Sequence, residues 1–284
     1  MDPKGLKEYI DIQFEKEDCF VAFLDILGYK NLVEKCLNPT CDQDKKIKGN
    51  IRSALKSSLK TIESSGNPFF KPMRYKNFSD CTCYSTPTMY DTPHEATMLC
   101  NLILVVNNFT VGLMKVNIYH RGGISFGYHS QDEFMIFSEA LIKAHKLEDE
   151  IAKFPRTILD EKLVQRFIKL WKRQKKTILD LGIEKKLIVD KEGIVFINPF
   201  NIAKSMDKAN LEYIRSQCVS EKEYKECLYE IDNQYHIEIR DNLEKMIEEY
   251  KDDERVLPKY LWLRELLLWN MNPESSDKFE YFLK

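Results

Sequence analysis

The sequence carries little net charge of either sign: 43 lysines and arginines stand against 45 aspartates and glutamates, a formal charge of −2 over 284 residues. So close a balance gives no global field for nucleic acid or an anionic membrane; no stable nucleic-acid binding is expected, and any polyanion would be met locally. The eight cysteines form no CxxC pair and no apolar h-region opens the chain, which argues against a disulfide framework and for reduced thiols in a cytoplasmic protein. The longest apolar stretches are broken by charge or amide before 18 residues, so no membrane-spanning helix is expected. None of the five histidines pairs at a metal-ligand spacing such as HExxH, which disfavours zinc. There is no internal repeat and no low-complexity tract. With 43% apolar residues, the chain is long enough for one large domain, or one of ordinary size with an extension.

The pattern along the chain alternates. Residues 19–26 read as a buried strand and 27–38 as a helix opened by Gly28; 45–64 have helical apolar spacing, ended by "SSGNP". Residues 72–86 read as two short strands joined near Ser79 and Asp80. "DTPHEA" predicts a helix start, with Thr92 as N-cap, Pro93 in the first position and Glu95 completing a capping box, and the helix running to about Gly112. "KVNIYHRGGISFGY" is the next strand, followed by an amphipathic helix over 137–153, a strand in "FPRTILD" and a polar helix over 160–180. The basic run 169–176 on that helix reads as a solvated face. A hairpin turns at Asp190 to Gly193. Beyond about 201 the chain is helical and charged, closing with "PKYLWLRELLLWN", read as core-facing or as a docking surface. These boundaries give an N-terminal segment over 1–18, a main domain over 19–200 and a helical extension over 201–284. The element order predicts an α+β, ferredoxin-like fold with an antiparallel sheet.

Within "FVAFLDILGYK" Asp25 interrupts an apolar run, where an unpaired carboxylate costs several kcal/mol. Asp80, in "NFSDCTCYS", falls at the hairpin that would pair beside it. Two carboxylates on adjacent strands, next to a glycine-containing strand-to-helix turn, suit a site for two divalent cations facing phosphates. The plainer readings are that Asp25 caps the following helix and that Asp80 is a turn residue.

These motifs carry a resemblance. "FLDILGYK" and "KNFSD" resemble the two metal-carboxylate motifs of class III nucleotidyl cyclases, and "RGGISFG" with "IFSEALIKAHKLEDEIAKFPRTILD" resembles the segment that follows them. The likeness is closest to the stand-alone bacterial pyrimidine cyclases of Pycsar antiphage systems, which also carry a "KYLWL"-like stretch, here Lys259 to Leu263. The resemblance implies two Mn²⁺ or Mg²⁺ ions held by Asp25, Asp80 and the Ile26 carbonyl. It gives Leu27, Gly28 and Tyr29 as backbone for the triphosphate, and Lys76, with Arg74 nearby, as the base-facing residue. The acidic partner of that lysine in purine cyclases falls on Met135, which favours UTP or CTP over ATP or GTP. The asparagine and arginine that steady ribose and transition state fall on Ile142 and Lys146, leaving Arg121 and Arg156 to complete the role. A homodimer is implied, since the carboxylates and the base-facing groups come from different subunits, as is a separate effector protein sensing the cyclic product. A purine cyclase and a degenerate nucleotide-binding homologue are the alternatives.

Overall fold

The computed structural model describes residues 18–64, 73–200 and 208–283. The first strand, β1 (Asp18–Ile26), alternates as a central strand must. Phe20, Ala22, Leu24 and Ile26 pack into the larger core, while Cys19 and Val21 pack with Ala140 on the opposite face. Gly28 then turns the chain into α1 (Tyr29–Leu37), followed by α2 (Asp42–Ser64), β2 (Arg74–Phe78), β3 (Cys81–Pro87), α3 (Glu95–Met114) and β4 (His120–Gln131). These strands lie in the order β2-β3-β1-β4, all antiparallel. That is the ferredoxin-like arrangement of a β-α-β-β-α-β chain, as the sequence predicts.

The sheet continues past β4. After β5 (Ile136–Ser138), which pairs with β4 off the main strand order, and α4 (Glu139–Lys146), β6 (Thr157–Leu159) adds parallel to β4. Helix α5 (Glu161–Asp180) leads to the hairpin β7 (Leu187–Asp190) and β8 (Val195–Ile197), whose turn closes where expected, with Asp190 Oδ1 accepting from the Glu192 and Ile194 amides. Helices α6 (Lys208–Gln217), α7 (Glu221–Glu249) and α8 (Leu257–Met271) follow. A last strand, β9 (Phe279–Tyr281), pairs with β7. The C-terminal residues thus share the main sheet, and Leu263, Leu266, Leu267 and Trp269 of α8 pack with Ile158, Ile188 and Phe196. Sequence periodicity does not reveal β9, because three residues are too short to show a period.

Three local expectations are corrected. Helix α3 begins at Glu95 with His94 as its N-cap, not with Thr92. The Thr92 hydroxyl donates back to the Met89 carbonyl, and Glu95, buried against Arg166, accepts from the Asp91 amide. The helix also runs past Gly112 to Met114; a Cβ at Gly112 would lie 3.0 Å from the Ala54 Cβ, so the glycine serves the packing of α3 on α2. The expected helix over 137–153 is a strand residue pair, α4 and then a π turn at Leu147–Ile151, in which the Ala152 amide donates to the Leu147 carbonyl at 2.8 Å. Finally, Glu95–Met114 is long and apolar enough to cross a membrane by length and composition, with mean hydropathy 1.6. Its asparagines interrupt the apolar run but do not offset the aliphatic residues around them, and the helix is wrapped by the core, with Asn107 donating to the Asn198 carbonyl. "SSGNP" beyond Ser64 and the segment 1–17 lie outside the described residues.

Candidate active site

Strand register brings the two carboxylates together. Asp25 stands opposite Cys81 on β3, at the last rung of that ladder, and opposite Arg121 on β4, at the last rung but one. The β2–β3 turn bends sharply at Ser79, whose φ is +57°, and the Ile26 amide donates to the Asp80 carbonyl at 3.1 Å, fixing the turn to the end of β1. Ligand atoms of Asp25, Asp80 and Cys81 consequently lie within 4.8 Å of one another. Gly28 is the N-cap of α1 at φ +68° and that cap has no side-chain hydrogen bond, so Asp25 is not the capping residue. The Leu27 amide is held by the Tyr119 carbonyl at 2.9 Å, while Gly28 is exposed and the Tyr29 side chain packs against the core.

Electrostatics at this cluster favour a cation. Burial, and then the neighbouring Asp80 charge, push the Asp25 carboxyl above its ordinary value against the pull of Arg121. Burial and the same two carboxylates push the Cys81 thiol up to about 12, and it points at Asp25 Oδ1 (3.7 Å) and Asp80 Oδ1 (3.6 Å). The two carboxylates supply hard oxygen donors, of the kind that Mg²⁺ or Mn²⁺ takes.

Arg121 belongs to the same cluster. Its Nε lies 3.8 Å from Asp25 Oδ2 and forms a closer ion pair with Glu148, whose side chain is only 4% exposed. Burial first, with Asp25 adding to it, pushes the Glu148 carboxyl up to about 7 despite the arginine. The sequence reading did not single out Glu148, since an acid in "KLEDE" looks solvated. One signal was present: it follows Ala140 and Ala144 at four-residue spacing on the buried face of α4.

The other candidates gather elsewhere or serve the fold. Lys76 is level with Cys83 and so with Phe23, on the face that carries Asp25 but two strands away, about 10 Å at ordinary strand spacing. Its ammonium donates to the Asp132 and Glu133 carbonyls, and Arg74 donates to the Gln131 carbonyl, so both meet the β4–β5 turn that carries Met135. Met135 is 54% exposed, and its amide donates to the Asp132 carboxylate. Asp132 is the second residue the sequence reading passed over. Ile142 and Lys146 are exposed on α4. Arg156 is not at the cluster: its guanidinium binds Asp190 Oδ2 at 2.5 Å, with a side chain 3% exposed.

No protein-family model matches the chain, and no curated protein matches it. Solved structures similar to it include the monomeric guanylyl cyclase domain of the RhoGC fusion protein from the aquatic fungus Blastocladiella emersonii, at 14% identity and TM-score 0.41, covering 63% of this chain and 93% of that one. The adenylyl cyclase CyaB from P. aeruginosa is similar at 13% identity and TM-score 0.42, over 64% and 94% of the two chains. The guanylate cyclase domain of RhGC from Catenaria anguillulae, solved with GTP, is similar at 13% identity and TM-score 0.41, over 64% and 96%.

Proposed function

We propose that the chain is a nucleotidyl cyclase acting on a pyrimidine nucleoside triphosphate, UTP or CTP, to give the 3′,5′-cyclic monophosphate and pyrophosphate as a second messenger in bacterial antiphage defence. The observation that carries the chemistry is the convergence of Asp25 and Asp80 beside the Gly28 turn, with Arg121 at their edge. Asp25 and Asp80 would hold two divalent cations, which when bound lower the pKa of the ribose 3′-hydroxyl and neutralise charge developing at the α-phosphorus. The chain's own residues do the rest. Leu27 and Gly28 present the turn to the triphosphate, and Arg121 supplies a fixed positive charge where the leaving pyrophosphate gains charge. Holding the hydroxyl in line with the phosphorus accounts for much of the rate.

Met135 supports a pyrimidine substrate, because methionine offers no acceptor to a purine amine. One observation favours the purine alternative: Asp132 lies in the same turn, and its carboxyl is lowered first by the Met135 and Phe134 amides and also by Lys76. A lysine and an acid therefore do meet at this place, although the acid is engaged by backbone. Two-fold assembly is part of the reading. Phe134, Phe137 and Ile142, at 91%, 65% and 61% exposed, give an apolar surface next to Lys76 and Lys146 that a second copy would cover.

The test is turnover with each of the four nucleoside triphosphates and Mn²⁺, resolving cyclic products by mass. We expect a cyclic pyrimidine nucleotide, abolished by chelator. Clear preference for ATP or GTP would replace the substrate assignment, and no cyclic product from any of the four would overturn the reading.

A further inference from the structure

Arg121 stands directly opposite Asp25 on the neighbouring strand, the position from which opposite charges ordinarily pair across a sheet. A full pair there would neutralise Asp25 and place a guanidinium where a divalent cation must sit. The arginine is instead divided: its Nε lies 3.8 Å from Asp25, close enough to act on that carboxyl, and is in closer ion contact with Glu148. Among the described residues neither Arg121 Nε nor Glu148 Oε1 has a hydrogen-bond partner, so the ion contact between them is what compensates these two atoms.

The backbone around this pair is arranged to bring Glu148 in. Gly123 lets the end of α4 lie on β4: a Cβ there would fall 2.7 Å from the Leu147 Cβ and run into the Ala144 carbonyl. The helix then widens into the π turn at Leu147–Ile151. Such one-turn widenings re-aim side chains and recur at functional sites. Of the three consecutive acids at 148, 149 and 150, only Glu148 is turned inward. With all groups ionised, the carboxylates of Asp25, Asp80 and Glu148 outweigh the one guanidinium by two charges, which a single divalent cation cancels.

We propose that Glu148 is a positioning residue that holds Arg121 back from Asp25, keeping that carboxylate open to a divalent cation. The inference rests on Asp25 and Asp80 being the cation ligands, and it adds a gate to them. When Glu148 is neutral, Arg121 swings onto Asp25 and competes with the metal. With Glu148 ionised, Arg121 stays beside the site as a positive charge available to the substrate's phosphates.

The experiment measures Mn²⁺ affinity without nucleotide, at pH 8, from the electron paramagnetic resonance signal of free Mn²⁺. Glu148→Gln should weaken binding about tenfold or more, tenfold being the effect of one unit charge a few ångströms away at nearly the screening of bulk water. Glu148→Gln combined with Arg121→Gln should return to within about threefold of wild type, because the competing cation is gone. Arg121→Gln alone should bind at least as tightly as wild type, and this arm holds even if Glu148→Gln fails to fold. Loss of a merely structural contact would not be rescued by removing the arginine. Wild-type affinity in Glu148→Gln, or a double variant as weak as the single, overturns the gate while leaving the metal site standing. Absence of Mn²⁺ binding to wild type overturns both.

Discussion

Arg121 and Arg156 are both arginines beside the central strands, and both were sequence candidates for the same role, yet the fold treats them differently. Arg156 is enclosed: its side chain is 3% exposed, bonded to Asp190, with its guanidinium carbon 5.3 to 5.7 Å from the ring centres of Phe154, Phe196 and Trp262. It ties β6 to the β7–β8 hairpin and to α8. Arg121 keeps 26% of its side chain exposed and is shared by two carboxylates at the open end of the sheet. A buried arginine matched to one anion serves the fold. One divided between two acids at an opening is free to act on a ligand.

The largest effects should fall on the carboxylates beside Arg121. Asp25→Ala or Asp80→Ala should lower cyclase turnover by roughly a thousandfold or more, the scale of removing charges that stabilise a developing oxyanion, with an unchanged circular dichroism spectrum. The two arginines should then separate. Arg121→Ala should cost about a hundredfold in turnover, and because Glu148, already pushed up to about 7, can take up a proton once its partner is gone, it should lower the melting temperature less than Arg156→Ala does. Arg156→Ala leaves Asp190 without its partner and should destabilise by about 3–5 kcal/mol in urea unfolding. Equal melting temperatures for the two variants would erase the distinction.

Assembly gives an intermediate effect. Asp25→Ala protein and a Lys76→Ala/Lys146→Ala double variant, each inactive alone, are mixed under conditions of subunit exchange. If half the dimers are mixed, about a quarter of wild-type activity should return, since each mixed dimer keeps one whole site. No recovery despite demonstrated exchange would place the site within one subunit.

The smallest effect is a pH dependence. Because Glu148 is pushed up to about 7 from 4.5, the folded chain holds a proton through a range in which the unfolded chain has released it. Its contribution is fully present below about 4.5 and is lost as pH rises through about 7. His120 acts in the opposite sense, since burial lowers it to about 4 and stability is lost as pH falls from 6.5 toward that value. Subtracting the stability of Glu148→Gln from that of wild type removes the histidine. The difference should turn against wild type between pH 4.5 and 7.5, and parallel curves would contradict the assignment.

The central β-α-β-β-α-β order was legible because each strand and helix shows its period over several residues, and the hairpin at Ser79 and Asp80 because turn residues interrupt two alternating runs. Asp25 was legible as a carboxylate inside an apolar strand. Glu148 was not, since a π turn has no sequence period of its own and an acid among acids reads as solvated. Arg156 was misleading for a related reason: its partner Asp190 and its ring neighbours come from segments distant in the chain, and nothing local announces the enclosure. Strand β9 was hidden by its length.

The most direct measurement is anomalous diffraction at the manganese edge from crystals grown with Mn²⁺ and a 3′-deoxy nucleoside triphosphate, which cannot cyclise. The account predicts two manganese peaks, both contacted by carboxylate oxygens of Asp25 and Asp80, with the triphosphate against the Leu27–Gly28 turn. Nucleotide density there without manganese at these carboxylates, or manganese bound only elsewhere, would contradict it.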